Sequence, residues 1–185
     1  DVDGKLKLME ISTRFAGTFG LSRNLDVNLP LLALCDFSDM EIDICPNKCK
    51  ISLDKSYIDR YKIEYEYKRV YLDFDDTLVF GREKYNTEAM RFVYQCLNKG
   101  IQIMLITKHA YDIHETMKKI KFSEDVFDRI IEVPVEKDKC DYMDNSVPSI
   151  FVDNAYAERK KVKEKLGIPT FDVSNIGCLI DWADD

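Results

Sequence analysis

The 185-residue chain is 45% hydrophobic and 33% charged with a formal net charge of −7, the balance of a globular domain rather than a disordered or membrane-spanning one. No apolar run approaches the ~20 residues that a bilayer demands, and the acidic surplus argues against a nucleic-acid backbone as partner. With no leader pattern and scattered cysteines, we expect a cytoplasmic chain with reduced thiols and no membrane or nucleic-acid partner.

The elements of the first third are short. Residues 5–11 (KLKLMEI) read as a strand, residues 28–37 as an apolar helix opening near Pro30, and 41–44, 50–53 and 61–67 as strands. None of this makes an evident core of its own, and a boundary is expected near Lys68, dividing the chain into 1–68 and 69–185. Cys45 and Cys49 lie in a CPNKC loop. As half of a zinc site they lack a partner pair, since His109 and His114 stand far along the chain, so no zinc site is expected. A chain that starts at Asp1 reads as a piece of a longer protein.

From residue 69 onward strands and helices alternate. Residues 70–73 read as a strand. Asn86 or Thr87 can cap a helix whose apolar residues Ala89, Met90, Val93, Cys96 and Leu97 share a face, with Gly100 as its stop. A strand over 101–106 (IQIMLI), a helix over 111–120, a short strand over 129–133 and a helical turn over 139–144 follow. The series closes with a strand over 149–152, a helix over 155–166 stopped by Gly167, and a strand over 170–173. This alternation predicts the α/β class: a doubly wound parallel sheet, with a small α+β segment in front of it. Sites on such sheets lie at the carboxyl ends of strands near a switch point. Asp73, Thr107 and Asp153 fall at strand ends.

The stretch VYLDFDDTLV at 70–79 places Asp73, Asp75 and Asp76 at the end of a buried strand. Unpaired buried carboxylates are costly, and like charges oppose each other's ionisation, so a compensating cation is expected. Residues two apart on an extended segment point the same way, which lets Asp73 and Asp75 share one pocket. Such a pair suits phosphoryl transfer: Asp73 as nucleophile, Asp75 as acid and then base, with Mg²⁺ neutralising the cluster. Asp76 reads as a turn residue. His109 and His114 read as surface residues, and the basic runs at 118–119 and 158–161 as solvated helix faces.

DFDDT at 73–77 after an apolar strand resembles the first motif of the haloacid dehalogenase superfamily. LIT at 105–107 resembles the second motif, and FVDN at 151–154, followed by Glu158, resembles the fourth. The third is a lysine before the fourth strand; Lys137 and Lys139 both qualify, and Lys139 is favoured. The resemblance covers about 69–185. It implies a Mg²⁺-dependent phosphohydrolase working through an aspartyl-phosphate at Asp73, with Asp75 as general acid/base. It further implies Thr107 and Lys139 on the phosphate, and Asp73, the Asp75 carbonyl, Asp153 and Asn154 at the metal. Asn154 departs from the usual acidic pair, and Glu158 is the candidate replacement. The intervals between motifs leave no room for a cap domain, and the segment 80–85 is the only local flap. An open site of that kind suits a large or tethered substrate, or a partner that closes over it; the expected ligand is a phosphorylated small molecule or a tethered substrate.

The stretch DGKLKLMEISTRFAGTFGLSRNLDVNLPLLAL at 3–34 resembles the end of an ATP-grasp domain, with Glu10 and Arg14 matching its metal and phosphate motif and Ser12 where Asn is usual. ATP-grasp ligases include carbamoyl-phosphate synthase large subunits. This resemblance implies a missing upstream ATP-grasp portion. It also implies an alternative function: part of an ATP-dependent carbon–nitrogen ligase in which the second domain is auxiliary or non-catalytic. A third reading keeps the fold as an interaction module without catalysis.

Overall fold

The computed structural model describes Gly4, residues 12–55 and residues 59–181. The strand expected over 5–11, and Glu10 with it, lies outside the described residues. In chain order the elements are α1 (Phe19–Asn24), α2 (Leu29–Phe37), β1 (Ile51–Lys55), β2 (Asp59–Ile63), β3 (Arg69–Leu72), β4 (Val79–Phe80), β5 (Lys84–Tyr85), α3 (Thr87–Asn98), β6 (Gln102–Thr107), α4 (Ile113–Ile120), β7 (Arg129–Glu132), β8 (Ser149–Val152), α5 (Tyr156–Leu166) and β9 (Thr170–Phe171). Single-turn 3₁₀ helices span Glu124–Val126 and Lys139–Tyr142, and a longer one spans Val173–Cys178.

Five strands form one parallel sheet in the order β7-β6-β3-β8-β9. The chain leaves β3 toward β6 and β7, then returns to lay β8 on the other side of β3, so the switch point lies between β3 and β8. The apolar runs alternate across this sheet. Val70 and Leu72 of β3, Ile103 and Leu105 of β6, and Ile150 and Val152 of β8 face a core shared with α3, α4 and the Val173–Cys178 turn. Tyr71, Ile106 and Phe151 face a second core with Val162 of α5 and Cys140 of the Lys139–Tyr142 turn. Right-handed crossovers require this division: two (β3 to β6, β6 to β7) progress one way along the sheet and two (β7 to β8, β8 to β9) the other. Among the described residues no helix is long and apolar enough to cross a membrane.

The helix ends follow local chemistry. Asn86 caps α3 by accepting from the Ala89 N–H, and Asp112 caps α4 by accepting from the Glu115 N–H. Gly167 ends α5 in the left-handed region at φ 67°, where a Cβ would add strain.

The first segment packs against the sheet domain rather than standing apart. Ile51 joins the first core, with Leu21, Leu25, Tyr61 and Ile63 against it. The Asn47 amide donates to the Thr170 carbonyl at 2.7 Å and accepts from the Thr170 N–H at 2.9 Å, so one buried side chain extends the β9 edge in place of a further strand. Several expectations need correction here. Residues 41–44 are not a strand; Ile42 and Ile44 are exposed and have no sheet to face. The last strand stops at Phe171, because Asp172 accepts from the Ser174 N–H and turns the chain into a 3₁₀ helix. The helix α1 and the β4–β5 hairpin were not expected at all.

Candidate functional site

The carboxyl ends of β3 and β8 lie side by side, held by the Asp73 N–H donating to the Val152 carbonyl at 3.0 Å. This brings Asp73 and Asp153 together at the switch point. Lys139, on the first residue of its 3₁₀ turn, inserts between them: its Nζ donates to Asp73 Oδ1 at 2.5 Å and to Asp153 Oδ2 at 2.6 Å. Both remaining carboxylate oxygens are also engaged. Asp73 Oδ2 accepts from the Thr77 hydroxyl at 3.1 Å, and Asp153 Oδ1 from the Ala155 N–H at 2.6 Å. Thr77 Oγ1 accepts in turn from the Asn154 N–H at 3.2 Å, which ties the two strand-end loops together. Asp76 makes the turn between them, at φ 55°.

The electrostatics follow from burial. The Lys139, Asp73 and Asp153 side chains are 4%, 7% and 0% exposed. Burial pushes the Asp73 carboxyl up to about 6; Lys139 pulls it back and Asp153 adds to the rise. The Lys139 ammonium is held above its ordinary value: burial opposes its charge, but Asp73 and Asp153 outweigh burial. Two carboxylates around one ammonium leave a buried net charge of about −1 when all are ionised.

Thr107, at the end of β6 beside β3, is completely buried, and its hydroxyl finds no partner among the described residues. A buried hydroxyl without a partner is uncommon, because its hydrogen-bonding capacity is left unused. The loop after it is pinned twice. Lys108 pairs with Glu158 of α5 at 2.6 Å, and Glu158 also accepts from the Lys139 N–H at 3.2 Å. His109 Nδ1 lies 2.7 Å from Asp75 Oδ2. Asp75 is less enclosed than Asp73 and Asp153, with its side chain 39% exposed.

The structure brings Asp73, Lys139 and Asp153 into contact and sets Thr107 on the adjoining strand end. Lys137 stays exposed. Asn154 is exposed; its N–H donates to Thr77 Oγ1 at 3.2 Å and its carbonyl accepts from Arg159 at 2.9 Å. Glu158, the candidate replacement, pairs with Lys108 and accepts from the Lys139 N–H. Two expectations change. His109 is no surface residue: its side chain is 1% exposed beneath Phe74 and Tyr111. Arg159 is buried, not part of a solvated face; its Nη1 donates to the Asp153 carbonyl at 2.7 Å and pairs with Asp172 at 3.0 Å. Its neighbour Asp26 also pairs with Lys163 at 2.8 Å, and this tethers the first segment to α5. Apart from the His-x-Tyr spacing of His109 and Tyr111, nothing local signals these partners.

Arg14 is exposed, and Ser12 accepts from its N–H at 3.3 Å in a purely local turn. All of the cysteines are free thiols. Among the described residues no group of at least three His, Cys, Asp or Glu side chains gathers as a metal cluster. The switch point instead carries two buried carboxylates around one ammonium, with a residual negative charge when all are ionised. That set suits a hard divalent cation such as Mg²⁺, which binds through one or two carboxylates and completes its shell with water and substrate oxygens. No family model and no curated protein matches the chain.

Proposed function

We propose that the chain is a Mg²⁺-dependent phosphohydrolase of the haloacid dehalogenase type that works through an aspartyl-phosphate at Asp73. The observation that carries this reading is the buried Asp73–Lys139–Asp153 cluster with the unpartnered Thr107 hydroxyl beside it. A cluster with surplus negative charge and an idle donor is incomplete by itself, and a cation and a phosphoryl group would complete it.

In this reading Asp73 attacks phosphorus, and the bond to the leaving oxygen breaks as Asp75 delivers its proton. Asp75 then removes a proton from water. The water oxygen attacks the aspartyl-phosphate, inorganic phosphate departs and the Asp73 carboxylate is restored. Lys139 holds Asp73 and takes up a phosphoryl oxygen, as does Thr107. Asp73, Asp153 and the Asp75 carbonyl would hold Mg²⁺, which when bound would offset the charge that repels a phosphate dianion from these carboxylates. Thr77 and Arg159 fix the loops that present the two aspartates.

The substrate is a phosphorylated small molecule or a tethered phosphoryl group, in keeping with the absence of a cap domain among the described residues. The test is phosphate release from an aryl phosphate and then from a panel of phosphorylated metabolites, with Mg²⁺. Asp73→Asn should abolish release, and robust turnover by that variant would end the proposal.

A further inference from the structure

The chain has two histidines, and they stand in opposite settings. His114 is exposed on α4, where it meets Glu124. His109 is enclosed: the Phe74 ring meets it edge-on at 5.6 Å and Tyr111 at 6.0 Å, and both of its nitrogens are engaged. Nδ1 lies 2.7 Å from Asp75 Oδ2, and Nε2 lies 2.9 Å from the Thr116 hydroxyl of α4. A carboxylate only accepts, so Nδ1 is the donor, and Nε2 is the nitrogen that meets the Thr116 hydroxyl. The ring orientation is fixed at both ends by partners on different elements.

Asp75 needs such support. Its side chain is 39% exposed, it follows a strand end rather than lying in one, and a short, partly exposed carboxylate would otherwise sample several rotamers. The bond from His109 uses Oδ2 and so leaves Oδ1 as the oxygen that could meet a leaving group. The histidine lies two residues beyond Thr107, so one loop carries both the phosphoryl donor and the support of the acid, and the Lys108–Glu158 pair anchors it between them.

We propose that His109, backed by Thr116, is a positioning residue that holds Asp75 in place to protonate the leaving oxygen. The role rests on the phosphohydrolase reading. It makes a demand that a merely structural histidine would not. An alkoxide departs only with a proton, whereas 4-nitrophenolate departs as a stable anion. Loss of the support should therefore be felt in proportion to the leaving group's need for that proton. The parameter to read is kcat/KM, which covers steps through leaving-group departure and excludes hydrolysis of the aspartyl-phosphate.

The experiment uses the full chain with Mg²⁺ and compares benzyl phosphate with 4-nitrophenyl phosphate, two esters of similar size. His109→Leu should lower kcat/KM for benzyl phosphate by about 10²-fold, with a loss at least about tenfold smaller for the nitrophenyl ester. His109→Asn, whose amide nitrogen can take the Nδ1 position, should recover most of the loss. Thr116→Val should show the same bias to a lesser degree, and it carries the test alone should His109→Leu fail to fold. Equal losses on both esters, no loss on either, or no recovery by Asn would overturn the positioning role. Hydrolysis of neither ester by the unaltered chain would overturn the phosphohydrolase reading itself, and the role with it.

Discussion

Lys139 and Asp73 meet at 2.5 Å at the head of the central strand, and Asp153 holds the same ammonium at 2.6 Å from the other side. The lysine is thus the only cation between two buried carboxylates in the described structure of the cluster, and its removal leaves like charges facing one another. Breaking a buried pair in this way costs about 3–5 kcal/mol. Lys139→Met, which keeps the stem, should lower the urea midpoint accordingly at neutral pH, and lowering the pH should narrow the deficit as the carboxylates take up protons. An unchanged midpoint would show that the cluster does not carry this strain.

Asp73 pulls stability the other way. Its carboxyl is raised from 3.8 to about 6, by burial first, with Asp153 adding and Lys139 opposing. Between those values the folded chain binds the proton more tightly than the unfolded one, so stability falls as pH rises through this window and the full penalty applies above it. A shift of that size corresponds to about 3 kcal/mol. Asp73→Asn removes the charge, although Lys139 then loses one partner and the net gain is smaller. We expect the variant to melt higher than the parent at pH 8 in EDTA, and its melting temperature to vary less between pH 4 and 6, in the window set by the shift. A variant less stable at pH 8, with the same slope, would contradict the assignment.

Legibility in the sequence tracks how local each cause is. The strands 102–107 and 149–152 and helix α3 are readable because apolar runs and caps act within a few residues. The hairpin of β4 and β5 is not, since two-residue strands carry no periodicity and its turn runs through positive φ at Gly81 and Arg82. α1 is six residues long, too short to show a repeat. Of the site, the Asp73, Thr107 and Asp153 positions follow from strand ends. The burial of His109 and Arg159 depends on Phe74, Tyr111, Asp26 and Asp172, whose proximity only the fold creates. The exposure of Asn154 was equally hidden, because its backbone is drawn toward Thr77 and Arg159.

Thr107 separates function from stability. Its hydroxyl is buried and unpartnered among the described residues, and an unsatisfied group of this kind costs about 1–3 kcal/mol. Thr107→Val keeps the shape and removes the group. The variant should be as stable as the parent or more so, while kcat/KM for a phosphate monoester falls by about 10²-fold, the usual effect of deleting one donor to a developing charge. Thr107→Ser should retain activity. Melting temperature and kinetics measured on one preparation decide it: a destabilised Val variant with intact kinetics would make the hydroxyl structural.

The first segment has a part in this site through Asp26. That residue follows α1 in the left-handed region at φ 67°, pairs with Lys163 at 2.8 Å and lies 3.7 Å from Arg159, whose other nitrogen holds the Asp153 carbonyl. The Asp26, Lys163 and Arg159 side chains are 6%, 8% and 5% exposed. Asp26→Asn keeps the shape and the tolerance for positive φ, so it isolates the charge. It leaves two buried cations with Asp172 as the remaining carboxylate among the partners named here, and about 3 kcal/mol of stability should be lost. The same change loosens Arg159 against the Asp153 loop. Under the phosphohydrolase reading, the Mg²⁺ concentration for half-maximal hydrolysis should therefore rise several-fold, and saturating Mg²⁺ should restore most of the rate. A variant that loses stability with an unaltered Mg²⁺ requirement would confine Asp26 to holding the segment in place.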